Sequence, residues 1–312
     1  MPQGRRGRFG TLAAVAARAG VAFVAVGFVG VEQYGKNYWL YRGFPPPRDP
    51  AYVTVPGTRV ELSVRSPALG GRSQQVYVYL PPGYADDPSR RYPVVYLLHG
   101  FPGRPLAFLN TVRAGVVEDE LVARGLAQPV ILVMPFGSTG TFTDKEWADG
   151  VRPHEGWETF VARDLVRAID ARFRTLPADR AIAGLSEGGY GAVNIALHHP
   201  GEFRVVESWS GYERAAKIRS IFGDRLERLA YNSPLTELPR VAAQLRRAQT
   251  YVWFYSGRQD PFRGQNAQFA RELAQARIAH TFLVVSGGHN WALWRGNAER
   301  ALLALDARLG SG

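Results

Sequence analysis

Two hydrophobic rhythms alternate along the chain. Short, nearly continuous apolar runs are separated by longer stretches in which apolar positions recur every three to four residues. The short runs predict strands at residues 74–80, 93–98, 129–134, 180–185, 203–208, 250–255 and 280–285. The longer stretches predict helices at 106–125, 157–173, 188–199, 264–277 and 290–308. A strand that is apolar at every position has both faces covered, which is the habit of parallel sheets. Strands and helices in alternation therefore predict an α/β fold, a mostly parallel central sheet with helices on both faces. Residues 212–247 show no clean period and read as an irregular cap or insertion.

A proline-rich stretch, Phe44-Pro45-Pro46-Pro47-Arg48-Asp49-Pro50, precedes this pattern. Such a segment cannot enter a helix or a central strand, so residues 44–59 read as a linker and 60–312 as one α/β domain. Ahead of the linker, residues 11–31 carry a single charge, Arg18. About 20 apolar residues span a bilayer as a helix. Arg5, Arg6 and Arg8 precede the run, and Tyr34, Tyr38, Trp39 and Tyr41 follow it, as an aromatic interface belt would. Residues 1–43 are thus expected to hold a membrane-spanning signal anchor with the downstream domain outside the cytoplasm. The competing reading starts the apolar region after Arg18 and makes it a cleavable signal peptide, hence a secreted protein. Glu32-Gln33-Tyr34 is a poor cleavage site, which favours the anchor.

Composition narrows the chemistry. The chain has 312 residues, 46% of them hydrophobic, enough for a substantial core in one domain. It has no cysteine, which removes disulfides and thiolate metal sites. The net charge of +11 raises nucleic acid as a partner, but the arginines are scattered among acids and no nucleic-acid-binding module is visible. No nucleic-acid partner is expected. No histidine pair has metalloprotease spacing, so neither a metal nor another cofactor is expected.

The chemistry-bearing motif is Gly184-Leu185-Ser186-Glu187-Gly188-Gly189, lying between a predicted strand and a predicted helix. In a strand–GxSxG–helix turn the serine hydroxyl is held out at the end of the sheet. Asp260 follows in the loop after the strand at 250–255, and His289 in the loop after the strand at 280–285. The order serine, acid, histidine is that of α/β-hydrolases. Serine needs a base to become nucleophilic, histidine can take and return the proton, and a carboxylate orients the imidazole. Ser186, His289 and Asp260 are the candidate triad, with Asp224 as substitute acid. The candidate oxyanion donors are the backbone N–H groups of Glu187 and of Phe101, in the loop His99-Gly100-Phe101-Pro102-Gly103.

Val76-Tyr77-Val78-Tyr79-Leu80-Pro81-Pro82-Gly83-Tyr84, residues 92–103, 183–200 and 287–294 together resemble the esterase family of α/β-hydrolases. That family includes esterase D-like enzymes and the antigen 85 mycolyltransferases. The likeness runs over roughly residues 60–310 and implies serine-dependent acyl transfer from a small-molecule or lipid ester, to water or to an alcohol. One departure is Glu187, where such proteins often carry an uncharged residue.

Three side chains are candidate substrate contacts. Trp147 and Trp291 could line an acyl-binding surface or lie in the core. Glu187 could stabilise a helix N-terminus, or recognise a cationic group such as the amine of an aminoacyl ester. Ester hydrolysis is the leading expectation and transfer to a sugar or lipid alcohol the alternative. Hydrolysis of aminoacyl lipid and a non-catalytic envelope-binding role stand further back.

Overall fold

The computed structural model describes residues 48–140 and 142–310. The expected span at 11–31 and most of the proline-rich stretch lie outside the described residues. Among the described residues, no helix is long and apolar enough to cross a membrane.

Eight strands form one sheet: β1 (Thr58–Ser66), β2 (Arg72–Leu80), β3 (Tyr92–Leu98), β4 (Ile131–Pro135), β5 (Thr175–Leu185), β6 (Val205–Trp209), β7 (Tyr251–Gly257) and β8 (His280–Val285). Their order is β1-β2-β4-β3-β5-β6-β7-β8. The β1–β2 and β2–β4 pairs are antiparallel and all others parallel. Every residue of β3, β4 and β6 is buried, so helices must cover both faces. Val94, Tyr96 and Leu98 face a core with Phe160, Ile169 and Ile195. Val95, pointing the other way, lines a small hollow with Leu121, Leu302 and Leu305. Each such side chain contributes about 1.5–3 kcal/mol on burial.

The helices are α1 (Ala114–Ala123), α2 (joined pieces Trp157–Thr159, π-helical Phe160–Leu165 and Val166–Arg172), α3 (Glu187–His198), α4 (Arg219–Phe222), α5 (Leu226–Tyr231), α6 (Pro234–Arg247), α7 (Arg263–Gln275) and α8 (Trp291–Asp306).

Four expectations need correction. Strand β1 begins inside the expected linker; its alternating exposed and buried residues mark an edge strand with one wet face. Strand β5 starts at Thr175, with Pro177 placed where the β3 pairing is irregular. The helix expected over 106–125 breaks at Arg113, whose left-handed φ of 68° separates a π-helical turn, Phe108–Val112, from α1. Residues 212–247 hold three helices; Leu235, Leu238, Ala242 and Leu245 are the buried face of α6, a helical spacing present in the sequence.

The chain leaves β3 for β4 on one side and returns through β5 on the other. At such a reversal the loops beyond the strands' carboxyl ends part and leave a crevice. Ser186 follows β5 there, and the loop after β3 stands beside it.

Candidate active site

Ser186 links β5 directly to α3 with φ 56° and ψ −122°, a conformation an L side chain rarely adopts. A backbone of this kind costs on the order of 1–3 kcal/mol and persists only where its surroundings enforce it. Here main-chain contacts do so. A Cβ at Gly184 would lie 2.1 Å from the Gly188 carbonyl oxygen, and one at Gly188 would lie 1.9 Å from that of Leu98. Only glycine permits strand, turn and helix to approach so closely.

Backbone hydrogen bonds extend the sheet beyond its strands and place the other groups. Ser186 N–H donates to the Trp209 carbonyl (3.2 Å) and Ser210 N–H to that of Tyr255 (2.8 Å). Arg258 N–H donates to the Val285 carbonyl (2.8 Å) and Gln259 N–H to that of Gly287 (3.0 Å). His289 immediately precedes Asn290, whose side chain caps α8 by accepting from Leu293 N–H at 3.2 Å. Caps of this kind contribute about 1 kcal/mol, and this one fixes where the histidine leaves the loop.

The three residues expected as a triad come together. Ser186 Oγ lies 2.8 Å from His289 Nε2, and His289 Nδ1 lies 2.8 Å from Asp260 Oδ2. A carboxylate can only accept, so Nδ1 carries the hydrogen and the Nε2 lone pair faces the serine hydroxyl. The imidazole is held edge-to-face between the rings of Phe262 and Trp294, with centroids 5.2 and 5.1 Å away. Burial alone would raise the Asp260 carboxyl, but hydrogen bonds from His289, Ser210 and the Phe262 N–H hold it below the usual range. Asp224 instead pairs with Arg219 on the surface at 2.8 Å.

The loop after β3 lies against Ser186. A Cβ at Gly100 would sit 3.0 Å from that of Ser186. His99 is buried beneath the loop, and burial pushes its imidazole down to about 4. As a neutral ring it accepts the Gly137 N–H at Nε2 (3.2 Å) and donates from Nδ1 to the Gly100 carbonyl (2.9 Å). Phe101, 41% exposed, follows at the loop tip. Glu187 is the first residue of α3, so its N–H has no partner within the helix and lies next to Ser186. That arrangement can hold a serine, a base and at least one oxyanion donor around a single carbonyl.

The expected substrate contacts fare differently. Trp147 is fully buried and supports the loop from below, its indole N–H donating to the His99 carbonyl at 3.0 Å. Trp291 is buried against Trp294, which in turn meets the His289 imidazole. Both rings therefore support the site and neither offers an acyl-binding surface. The Glu187 side chain is buried too; burial, with Asp144 and Glu146 close by, raises its carboxyl well above the usual range. Burial of this kind disfavours the charge that recognition of a substrate amine would use. The oversight was Ser210. Its hydroxyl donates to Asp260 Oδ2, and its φ of 60° is as unusual as that of Ser186. Ser210-Gly211 ends a buried strand, and that turn was the available signal.

Residues 66–305 match the family described as "Putative esterase". The chain is 31% identical over 252 residues to Esterase Rv1288 of Mycobacterium tuberculosis (strain ATCC 25618 / H37Rv), covering 70% of this chain and 53% of that one. It thus spans about half the length of that relative. It is 24% identical over 192 residues to the diacylglycerol acyltransferase/mycolyltransferase Ag85C of Mycobacterium leprae, covering 51% and 55% of the two chains. Among solved structures, a ferulic acid esterase superposes with a TM-score of 0.72 at 25% identity, over 81% of this chain and all of that one (100%).

Proposed function

The chain belongs to this esterase family of α/β-hydrolases, and from that membership we propose a serine-dependent carboxylic ester hydrolase working through an acyl-enzyme on Ser186. The observation that carries the proposal is the relay from Ser186 Oγ through His289 to Asp260, two contacts of 2.8 Å each.

In this reading Ser186 Oγ attacks the ester carbonyl carbon as His289 Nε2 takes its proton. Charge then moves onto the carbonyl oxygen, which the N–H groups of Glu187 and Phe101 receive. Asp260 steadies the imidazolium. The tetrahedral intermediate collapses as His289 returns the proton to the departing alkoxide, leaving the acyl group on Ser186. Water, deprotonated by His289, completes the cycle by the same steps in reverse order.

An alcohol in place of that water turns hydrolysis into acyl transfer. The similarity to Ag85C, named as an acyltransferase, supports this as the second reading. We further propose that the domain built on this sheet, from β1 at Thr58 onward, is the catalytic domain and that it works at the outer face of the membrane or in the envelope. The support is the apolar run at 11–31 behind its arginines.

The test is release of p-nitrophenol from p-nitrophenyl acetate, butyrate and octanoate, and hydrolysis of methyl ferulate, by wild type and Ser186→Ala. Turnover lost in the variant, with fluorophosphonate labelling confined to Ser186, is the expected result. Equal turnover by both proteins would overturn the mechanism. Addition of glycerol or trehalose to a reacting mixture separates the readings: an ester product in place of free acid identifies a transferase.

A further inference from the structure

A second concavity, of about 500 Å³, lies at the opposite edge of the sheet. It is lined by Arg204 just before β6, Thr250 and Tyr251 at the start of β7, Arg246 and Arg277 near the ends of α6 and α7, and Arg308 beyond α8. Strands β6, β7 and β8 run parallel, and their carboxyl ends lead to Ser210, Asp260 and His289. At about 3.3 Å per residue, the six steps along β6 from Arg204 to Ser210 place this cavity about 20 Å from the candidate active site.

The lining is strongly one-signed. Arg204 has Asp179 as its ion-pair partner at 3.3 Å, and Arg308 lies over the Tyr251 ring at 4.2 Å. Arg246 donates to the Ala276 carbonyl (2.7 Å) at the end of α7. The two helix C-termini contribute about half a negative charge each. The residues lining the cavity include four arginines and no carboxylate, with Asp179 on the far side of Arg204. Thr250 is an independent sign. The residue lines the cavity and is 3% exposed, and its buried hydroxyl has no hydrogen-bond partner, although such a group ordinarily finds one.

Guanidinium groups can only donate, so a ligand here must present several accepting oxygens and negative charge. The volume exceeds what one small anion fills and lies within the range of small-molecule sites. We propose that this cavity binds a diphosphate group, Arg246 and Arg277 forking onto its oxygens and the Thr250 hydroxyl donating a further hydrogen bond. The site stands apart from the ester chemistry, so its ligand is neither the acyl donor nor the acceptor.

Inorganic pyrophosphate is the probe, titrated into the full chain by calorimetry. One saturable site is expected, weakening with added salt as charge pairing requires. Arg246→Gln and Arg277→Asn should each weaken it about ten-fold or more, and Thr250→Val several-fold. Both arginines are exposed, so folding should survive, and p-nitrophenyl butyrate turnover should remain at the wild-type rate. Vesicles bearing a diphosphate-headgroup lipid, run in parallel, show whether the group arrives free or on a lipid; loss of either binding in the variants supports the site. No saturable binding to either probe, binding unchanged in the variants, or equal affinity for citrate would overturn it.

Discussion

Ser210 and His289 donate to the same oxygen of Asp260, Oδ2, while Oδ1 accepts the Phe262 N–H at 2.8 Å. The carboxylate thereby presents a fixed lone pair to the imidazole. Removing the hydroxyl should loosen the orientation of Asp260 and leave Ser186 untouched. Ser210→Ala is expected to lower kcat about three- to ten-fold with little change in KM, the size of one hydrogen bond to a charged group. Ser210→Gly should lose the same activity yet be more stable than the alanine variant by about 1 kcal/mol, because glycine suits φ 60°. A KM change larger than the kcat change in both variants would contradict this.

Asp260→Asn keeps the shape of the side chain while allowing it to donate to His289 and stabilise the wrong tautomer. A fall in kcat of about 10³- to 10⁴-fold is expected, with the thermal midpoint altered far less. A loss under ten-fold in steady-state hydrolysis of p-nitrophenyl butyrate would remove Asp260 from the relay.

Glu146 supplies a pH dependence. It is 2% exposed, and burial, aided by Asp144, raises its carboxyl from 4.5 to about 8 against the hydrogen bond from the Tyr212 hydroxyl. The folded protein holds this proton where the unfolded chain has released it. Stability from this group is therefore complete below about 4.5 and falls as pH rises through about 8. The slope is at most about 1.4 kcal/mol per pH unit. Glu146→Gln cannot ionise, so its urea midpoint should decline less than that of wild type between pH 5 and 8. Parallel declines would show that Glu146 does not titrate as described.

For Glu187→Gln the expected outcome is a small effect, within about three-fold on kcat/KM, and equal for aminoacyl and neutral esters. An amide of nearly the same shape replaces a carboxyl whose charge burial disfavours, and the backbone N–H stays where it was. A selective loss on aminoacyl esters would restore the charged reading of this side chain.

Gly188→Ala should be among the most damaging single substitutions. Its Cβ would meet the Leu98 carbonyl oxygen at 1.9 Å, and the carbonyl carbon at 2.4 Å, in a fully buried strand that has no room to retreat. A loss of roughly 3–5 kcal/mol is expected in urea denaturation, or no soluble protein at all. A midpoint close to wild type would mean that the α3–β3 contact can relax.

The parallel layout was legible because β3, β4 and β7 are apolar at nearly every position and carry their own signal. The grouping of Ser186, Asp260 and His289 was legible for a related reason: each follows a strand, and parallel strands bring their carboxyl ends together. Strand β1 was hidden by its wet face, where Arg59, Glu61 and Arg65 interrupt the apolar pattern. The α1 break at Arg113 left no glycine or proline to mark it. Burial of Trp147 was illegible for another cause. It depends on Gly137, ten residues before it, and Gly191, 44 residues after it, leaving hollows that its ring fills. Composition names a tryptophan; only tertiary packing decides which way it turns.

The glycine contacts around Ser186 bear on descent as well as on stability. The height of Ser186 above the sheet is set by main-chain atoms of Gly184, Gly188 and Leu98 lying close to one another. Core side chains can therefore drift through generations of substitution while the reactive geometry passes on unchanged. Novelty in what the enzyme accepts can accumulate in the loops and in the helical insertion at 212–247, with the inherited chemistry left intact.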